Sequence, residues 1–336
     1  IMTNFKKIGL TALAGTLAAT AYAQAGALSV SGTARMEYQS TQASETSKSD
    51  AFAQNTTISF TGSGELDNGM TVSYLQAQSG AGTLTSQGVT LDMGDMGSIA
   101  MTNYNYGGIG TIQDMVPNGG EQPWDDLGTH GTPEQGVASP HSGNRIGYKT
   151  TAGGAIISAS MDYQQNSATT SMAIQLPNLV EGLNVGAGIA TDQNSASAEQ
   201  DIETMYATYS MNGISVGYQV TDVAAQAANS DIERTAYGVS FAVNDNISIG
   251  YGISDTEFES SSLTLDEENT GIGIAYTSGA MSLSARQEFN NAAGTDDETE
   301  FGITYTDGAL TFGAAYDSGQ GGATTMYGDE AELVIS

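Results

Sequence analysis

From Leu28 onward the chain alternates, one residue greasy and the next small or polar, which is the two-residue period of a strand with two unlike faces. In the first such stretch Val30, Ala34, Met36 and Tyr38 point one way, while Ser29, Ser31, Thr33, Arg35 and Glu37 point the other. The pattern returns over 57–65, 70–78, 89–93 and 98–104, with Asp67-Asn68-Gly69 as a hairpin signal. A polar loop is expected around residues 44–50. Beyond residue 143 the alternation becomes a run of hairpins: 145–150 with 155–164, 170–176 with 183–191, 203–212 with 214–222, 234–244 with 247–257, 270–277 with 281–289, and 300–306 with 310–317. A last segment covers 326–335.

The connections sort into two kinds. Turns at Gly153-Gly154, Gly213, Asp245-Asn246, Ser278-Gly279 and Asp307-Gly308 alternate with longer acidic, Ser-rich stretches at 194–201, 223–231, 259–266 and 290–298. One end of the sheet is trimmed and the other elaborated, as in a transmembrane barrel. The faces agree. Ile247, Ile249, Tyr251 and Ile253 alternate with Ser248, Gly250, Gly252 and Ser254, and Leu310, Phe312, Ala314 and Tyr316 with Thr311, Gly313, Ala315 and Asp317. Strands of about 9 to 11 residues match a tilted crossing of a bilayer. With only 8 Phe and no second apolar layer, lipid is the economical partner for the greasy faces. Tyrosines such as Tyr74, Tyr218, Tyr251 and Tyr305 share the apolar parity near strand ends, where an amphipathic ring suits the headgroup level. The reading is all-β: a closed antiparallel barrel as one domain over residues 24–336.

Residues 2–23 have the form of an export signal: Lys6 and Lys7, an apolar segment over 8–19, then Ala21-Tyr22-Ala23 before Gln24. Cysteine is absent, so no disulfide staples an exported chain. A net charge of −30 repels nucleic acid and attracts cations. No apolar run after Ala23 has the length of a spanning helix. Catalytic signatures are missing too: there is no H-E-x-x-H and no Gly-rich phosphate loop, and Ser142 beside His141 is mere adjacency.

One connection departs from all the others. Residues 105–143 hold Pro117, Pro123, Pro133 and Pro140, the only tryptophan (Trp124), both histidines (His130, His141) and the acids Asp114, Glu121, Asp125, Asp126 and Glu134, without a single Lys or Arg. A loop this long inside a compact domain is usually either functional or disordered. Its aromatics and prolines point to a folded-in loop whose carboxylates line a passage.

Leu28-Ser29-Val30-Ser31-Gly32-Thr33-Ala34-Arg35-Met36, the strand end Leu91-Asp92-Met93-Gly94-Asp95 before the long loop, and Asn144-Arg145-Ile146-Gly147-Tyr148-Lys149 after it resemble the general-diffusion porins of Gram-negative bacteria, closest to the alphaproteobacterial type. The resemblance implies an outer-membrane barrel of about 16 antiparallel strands; spacing alone counts about 18 segments. It also implies a homotrimer among outer-membrane lipid and lipopolysaccharide, and a third external loop folded inward as the constriction. Small hydrophilic solutes and ions would pass, with no enzyme activity and no cofactor. The acidic side of the constriction would be drawn from Asp114, Glu121, Asp125, Asp126 and Glu134, and the basic side from Arg35, Arg145 and Lys149. Arg234 and Arg286 share the inward parity. Acids in such excess imply cation selectivity. Clusters such as Asp266-Glu267-Glu268 and Asp296-Asp297-Glu298 are expected in external loops, where calcium would bridge them. The family ends in an aromatic residue, whereas this sequence ends Leu333-Val334-Ile335-Ser336, and its parity expects one residue more. The alternative reading is an exported β-rich adhesin or surface-layer protein.

Overall fold

The computed structural model describes residues 28–44, 47–80, 82–119, 144–164, 167–193, 199–225, 229–259, 266–291, 297–318 and 329–335. The predicted leader, the loop acids Glu121, Asp125, Asp126 and Glu134, and the terminal Ser336 lie outside these residues. Among the described residues the chain forms 18 strands in one antiparallel sheet. Each strand pairs with its neighbours in sequence, and β18 (Asp329–Ile335) pairs with β1 (Leu28–Ser44) from Met36↔Ile335 to Gln42↔Asp329. The ladder closes on itself, so no edge is left to satisfy. Short β5 (Ser98–Thr102) is bonded on both sides, as is β18, which is why the count is 18 rather than 16. An even number also lets first and last strands meet antiparallel.

The faces are inverted relative to a soluble protein. Ile249, Ile274 and Phe312 stand outward, 40%, 46% and 43% exposed, while Arg145, Arg234 and Arg286 face inward and are buried. Charged groups at mid-membrane on the lipid face would cost about 2–4 kcal/mol each, so the arginines take the inner parity. Tyr74, Tyr218, Tyr251, Tyr305 and Tyr316 are exposed with the apolar set. Tight turns close one end: Asn212 and Gly213 both take positive φ (51° and 80°), the mirror-image turn that suits a twisted hairpin.

Three expectations need correction. Of the polar stretch at 44–50, Ser44 and residues 47–50 are strand: β1 and β2 (Ser47–Glu65) pair out to Ser44↔Ser47, and their 17 and 19 residues exceed a membrane crossing. Polar residues alternating with polar residues continue a hairpin into water as readily as a loop. Pro177 lies within β8 (Ser167–Val180) instead of ending it, because the register slips between Leu176 and Val180 and the missing N–H falls in that irregularity. The triplet Asp266-Glu267-Glu268 does not lie wholly in a loop. Glu267 is buried and Glu268 exposed at the start of β14 (Glu267–Ser278), since a period of two sends neighbours to opposite faces.

An apolar core does exist, but it lies inside the barrel. After β5 the chain enters the lumen, makes a 3-10 turn at Ile109–Ile112, and buries both isoleucines completely. They pack on Ala173 of β8, Ala190 of β9 (Leu183–Gln193), Ile202 and Tyr206 of β10 (Glu199–Met211), and Val223 of β11 (Ile214–Ala225). Here the inner face is greasy because chain, not water, covers it.

Candidate functional site

The described part of the long loop runs as a band along the inner wall. At its root Arg145, on β6 (Arg145–Ala152), donates from Nη1 to the Asn105 side-chain carbonyl and sits opposite Asp162 of β7 (Ala155–Gln164). Lys149 lies with Nζ 4.4 Å from the centre of the Tyr106 ring, a cation–π contact, and the Tyr106 hydroxyl shares a 2.6 Å hydrogen bond with Ser98 Oγ. Burial, with neighbouring Tyr106 second, pushes the Tyr104 phenol up.

Further round, each turn of the loop is received by the wall. The Ile109 N–H donates to Ser171 Oγ (3.2 Å), and Ser158 Oγ donates to the Gly108 carbonyl (3.2 Å). Gln219 of β11, almost fully buried, accepts from the Met115 N–H at Oε1 (2.9 Å) and donates from Nε2 to the Ile112 carbonyl (2.9 Å). Its amide thus replaces a strand partner for two backbone groups that would otherwise be orphaned away from water. Between them Asp114 takes a left-handed φ of 51°, a conformation aspartate tolerates better than most residues. Val116 and Ala236 form a second small apolar cluster. The band then continues along β12 (Ile232–Ala242) and β13 (Ile247–Phe258) to reach β14, where Gly119 lies against Gly250 and Gly273.

Of the residues predicted from sequence, Arg145 and Lys149 each contact the loop root, at Asn105 and Tyr106, and Asp114 sits further round, next to Met115, which bonds Gln219 of β11. Arg35 remains on β1, its Nε 2.8 Å from Glu37 Oε2. Sequence reasoning placed Arg286 on the inward parity but missed the acids Glu288, Glu298 and Glu300 that surround it just past the band. Arg286 on β15 (Met281–Asn290), register partner of Gly273, pairs with Glu288 and reaches Glu300 of β16 (Glu298–Asp307) at 3.5 Å. Glu298 is the register partner of Glu288, and both are buried. The signal was present: Arg286 and Glu288, like Glu298 and Glu300, share the inward parity. The wall of β1, β2, β3 (Thr71–Ser79) and β4 (Thr83–Asp92) instead presents hydroxyls, with Ser29, Thr61, Ser63, Ser73 and Thr90 lining a recess of about 420 Å³ beside Tyr104. Small polar groups there leave room for water.

The family model described as Gram-negative porin matches residues 9–264. The fold is similar to that of a double mutant of the Rh. blastica porin, with TM-score 0.52, 13% identity, and 92% of this chain and 98% of that chain covered. A triple mutant of the Rhodopseudomonas blastica porin gives 0.53 and 14%, and a chain solved for work on the asymmetric conductivity of engineered proteins gives 0.54 and 14%, each with the same coverage. No curated protein matches the sequence.

Proposed function

The chain belongs to the Gram-negative porin family, and from that premise we propose that its outer-membrane diffusion channel is cation-selective and narrowed by the loop over residues 105–143. As a porin it forms a water-filled path for passive diffusion of small solutes, and family and fold point to a non-enzymatic channel. The adhesin reading falls with family membership. The observation that carries the constriction is the band of residues 105–119 held inside the barrel by Ser171, Gln219 and the inner wall. Selectivity is supported by inward arginines that already stand beside carboxylates, Arg35 by Glu37, Arg145 by Asp162, Arg286 by Glu288 and Glu300, and by the net charge of −30. Glu121, Asp125, Asp126 and Glu134 complete the acidic side in this reading, and the assembly is a homotrimer. Calcium at external carboxylates is a further part of it, with no resident cofactor needed for diffusion.

Planar-bilayer recordings test the selectivity and the trimer. Under a potassium chloride gradient the reversal potential is expected to favour cations, and insertions to come in steps of three sublevels. A reversal potential that favours anions overturns the selectivity.

A further inference from the structure

The inner wall beneath the band is interrupted by glycines at four places where a loop carbonyl meets it. A β-carbon built on Gly147 would lie 1.8 Å from the Tyr106 carbonyl oxygen; on Gly238, 1.7 Å from that of Pro117; on Gly250, 2.0 Å from that of Asn118; on Gly273, 1.8 Å from that of Gly119. All four sit in strands, on four different ones, facing inward. None is among the glycines with positive φ, so backbone freedom does not explain them. A strand gains nothing from glycine either: it weakens the strand by roughly 0.5–1 kcal/mol relative to alanine. What remains is space. The obstructing atoms are main-chain oxygens, which cannot swing aside as a side-chain tip does.

We propose that Gly147, Gly238, Gly250 and Gly273 are positioning residues that set how close the constriction loop lies to the wall and therefore the bore of the channel. Ordinary carbon–oxygen contact requires the loop to withdraw by roughly 1.5 Å at any alanine introduced there. Because the wall surrounds the loop on its outer side, withdrawal is into the lumen. The proposal rests on the loop being the constriction.

Single-channel conductance of Gly238→Ala and Gly273→Ala in planar bilayers tests it, with Gly302→Ala as the control. Gly302 also faces inward, and its added carbon meets only the Ser284 hydroxyl among the described residues. Both test variants are expected to conduct less than wild type while the folded, heat-modifiable band persists, and the control to match wild type. Folded test variants with wild-type conductance overturn the proposal. A second barrel, with residues 106–142 replaced by a short Gly-Ser linker, separates the two readings. If it conducts no more than wild type, the constriction reading fails and this proposal with it; if it conducts more while the alanine variants match wild type, only this proposal fails. Should Gly238→Ala not fold in the full chain, folding in the shortened barrel places the clash at the loop and supports the proposal, whereas failure in both overturns it.

Discussion

Two stretches of the inner wall share one parity and meet the loop differently. Under the band, from β6 to β14, the inward positions include Gly147, Ser158, Ser171, Gly238, Gly250 and Gly273, and hydrogen bonds reach the loop mainly through main-chain groups. Just beyond its described end, β15 and β16 present Arg286, Glu288, Glu298 and Glu300, long side chains that pack on one another. Alternation fixes only which residues face inward; what covers them decides their size and charge. Where the wall meets the loop carbonyls of Tyr106, Pro117, Asn118 and Gly119 its residue is glycine, whereas β15 and β16 carry charges that pair with one another.

Breaking the charged stretch has the largest expected effect. Arg286→Leu strands Glu288 and Glu300 without their guanidinium, and removal of one partner from a buried ion pair costs about 3–5 kcal/mol. The temperature at which the folded gel band converts to the unfolded one is expected to drop, and the reversal potential to move further toward cations. On the loop side Ile112→Ala empties a fully buried site, at about 3 kcal/mol for an isoleucine cut to alanine. Its melting shift is expected to be accompanied by noisier open-channel current, since the loop loses its apolar anchor. Gln219→Leu follows at about 2 kcal/mol, because the Met115 N–H and Ile112 carbonyl are left unpaired. If Gln219→Leu leaves current noise and melting unchanged, hydrogen bonds to the wall do not hold the band.

The barrel was legible because a period of two, tight turns and a one-sided distribution of long loops are all local signals, and local signals survive in a single sequence. The seating of the loop was not. Ile202, Tyr206 and Val223 share the nominally wet parity with Thr204 and Thr221, and their apolar side chains make sense only once Ile109 and Ile112 are known to lie opposite, from far along the chain. Gly238 reads as a weak spot in a strand until the Pro117 carbonyl is placed against it. Arg145 and Lys149 were found by parity, yet parity carries no information on whether a cation meets water or an aromatic ring, and the structure gives Lys149 the Tyr106 ring.

That last contact supports the smallest and most discriminating of the expected effects. Tyr106→Leu removes the π face over Lys149 Nζ and the hydroxyl that bonds Ser98, interactions together worth about 1 kcal/mol at a half-exposed position. Stability is therefore expected to change little. The charge of Lys149, however, is no longer held against the wall, and an ammonium on a flexible stem moves toward the highest local dielectric, which is the water of the lumen. A mobile positive charge there opposes cation passage, so the reversal potential is expected to shift toward anions, and Lys149→Ala in the same background to cancel the shift. If Tyr106→Leu leaves the reversal potential where it was, Lys149 already acts on the passage in the wild-type channel, and the loop root belongs with the charged stretch of the wall instead of with the stretch that merely seats peptide.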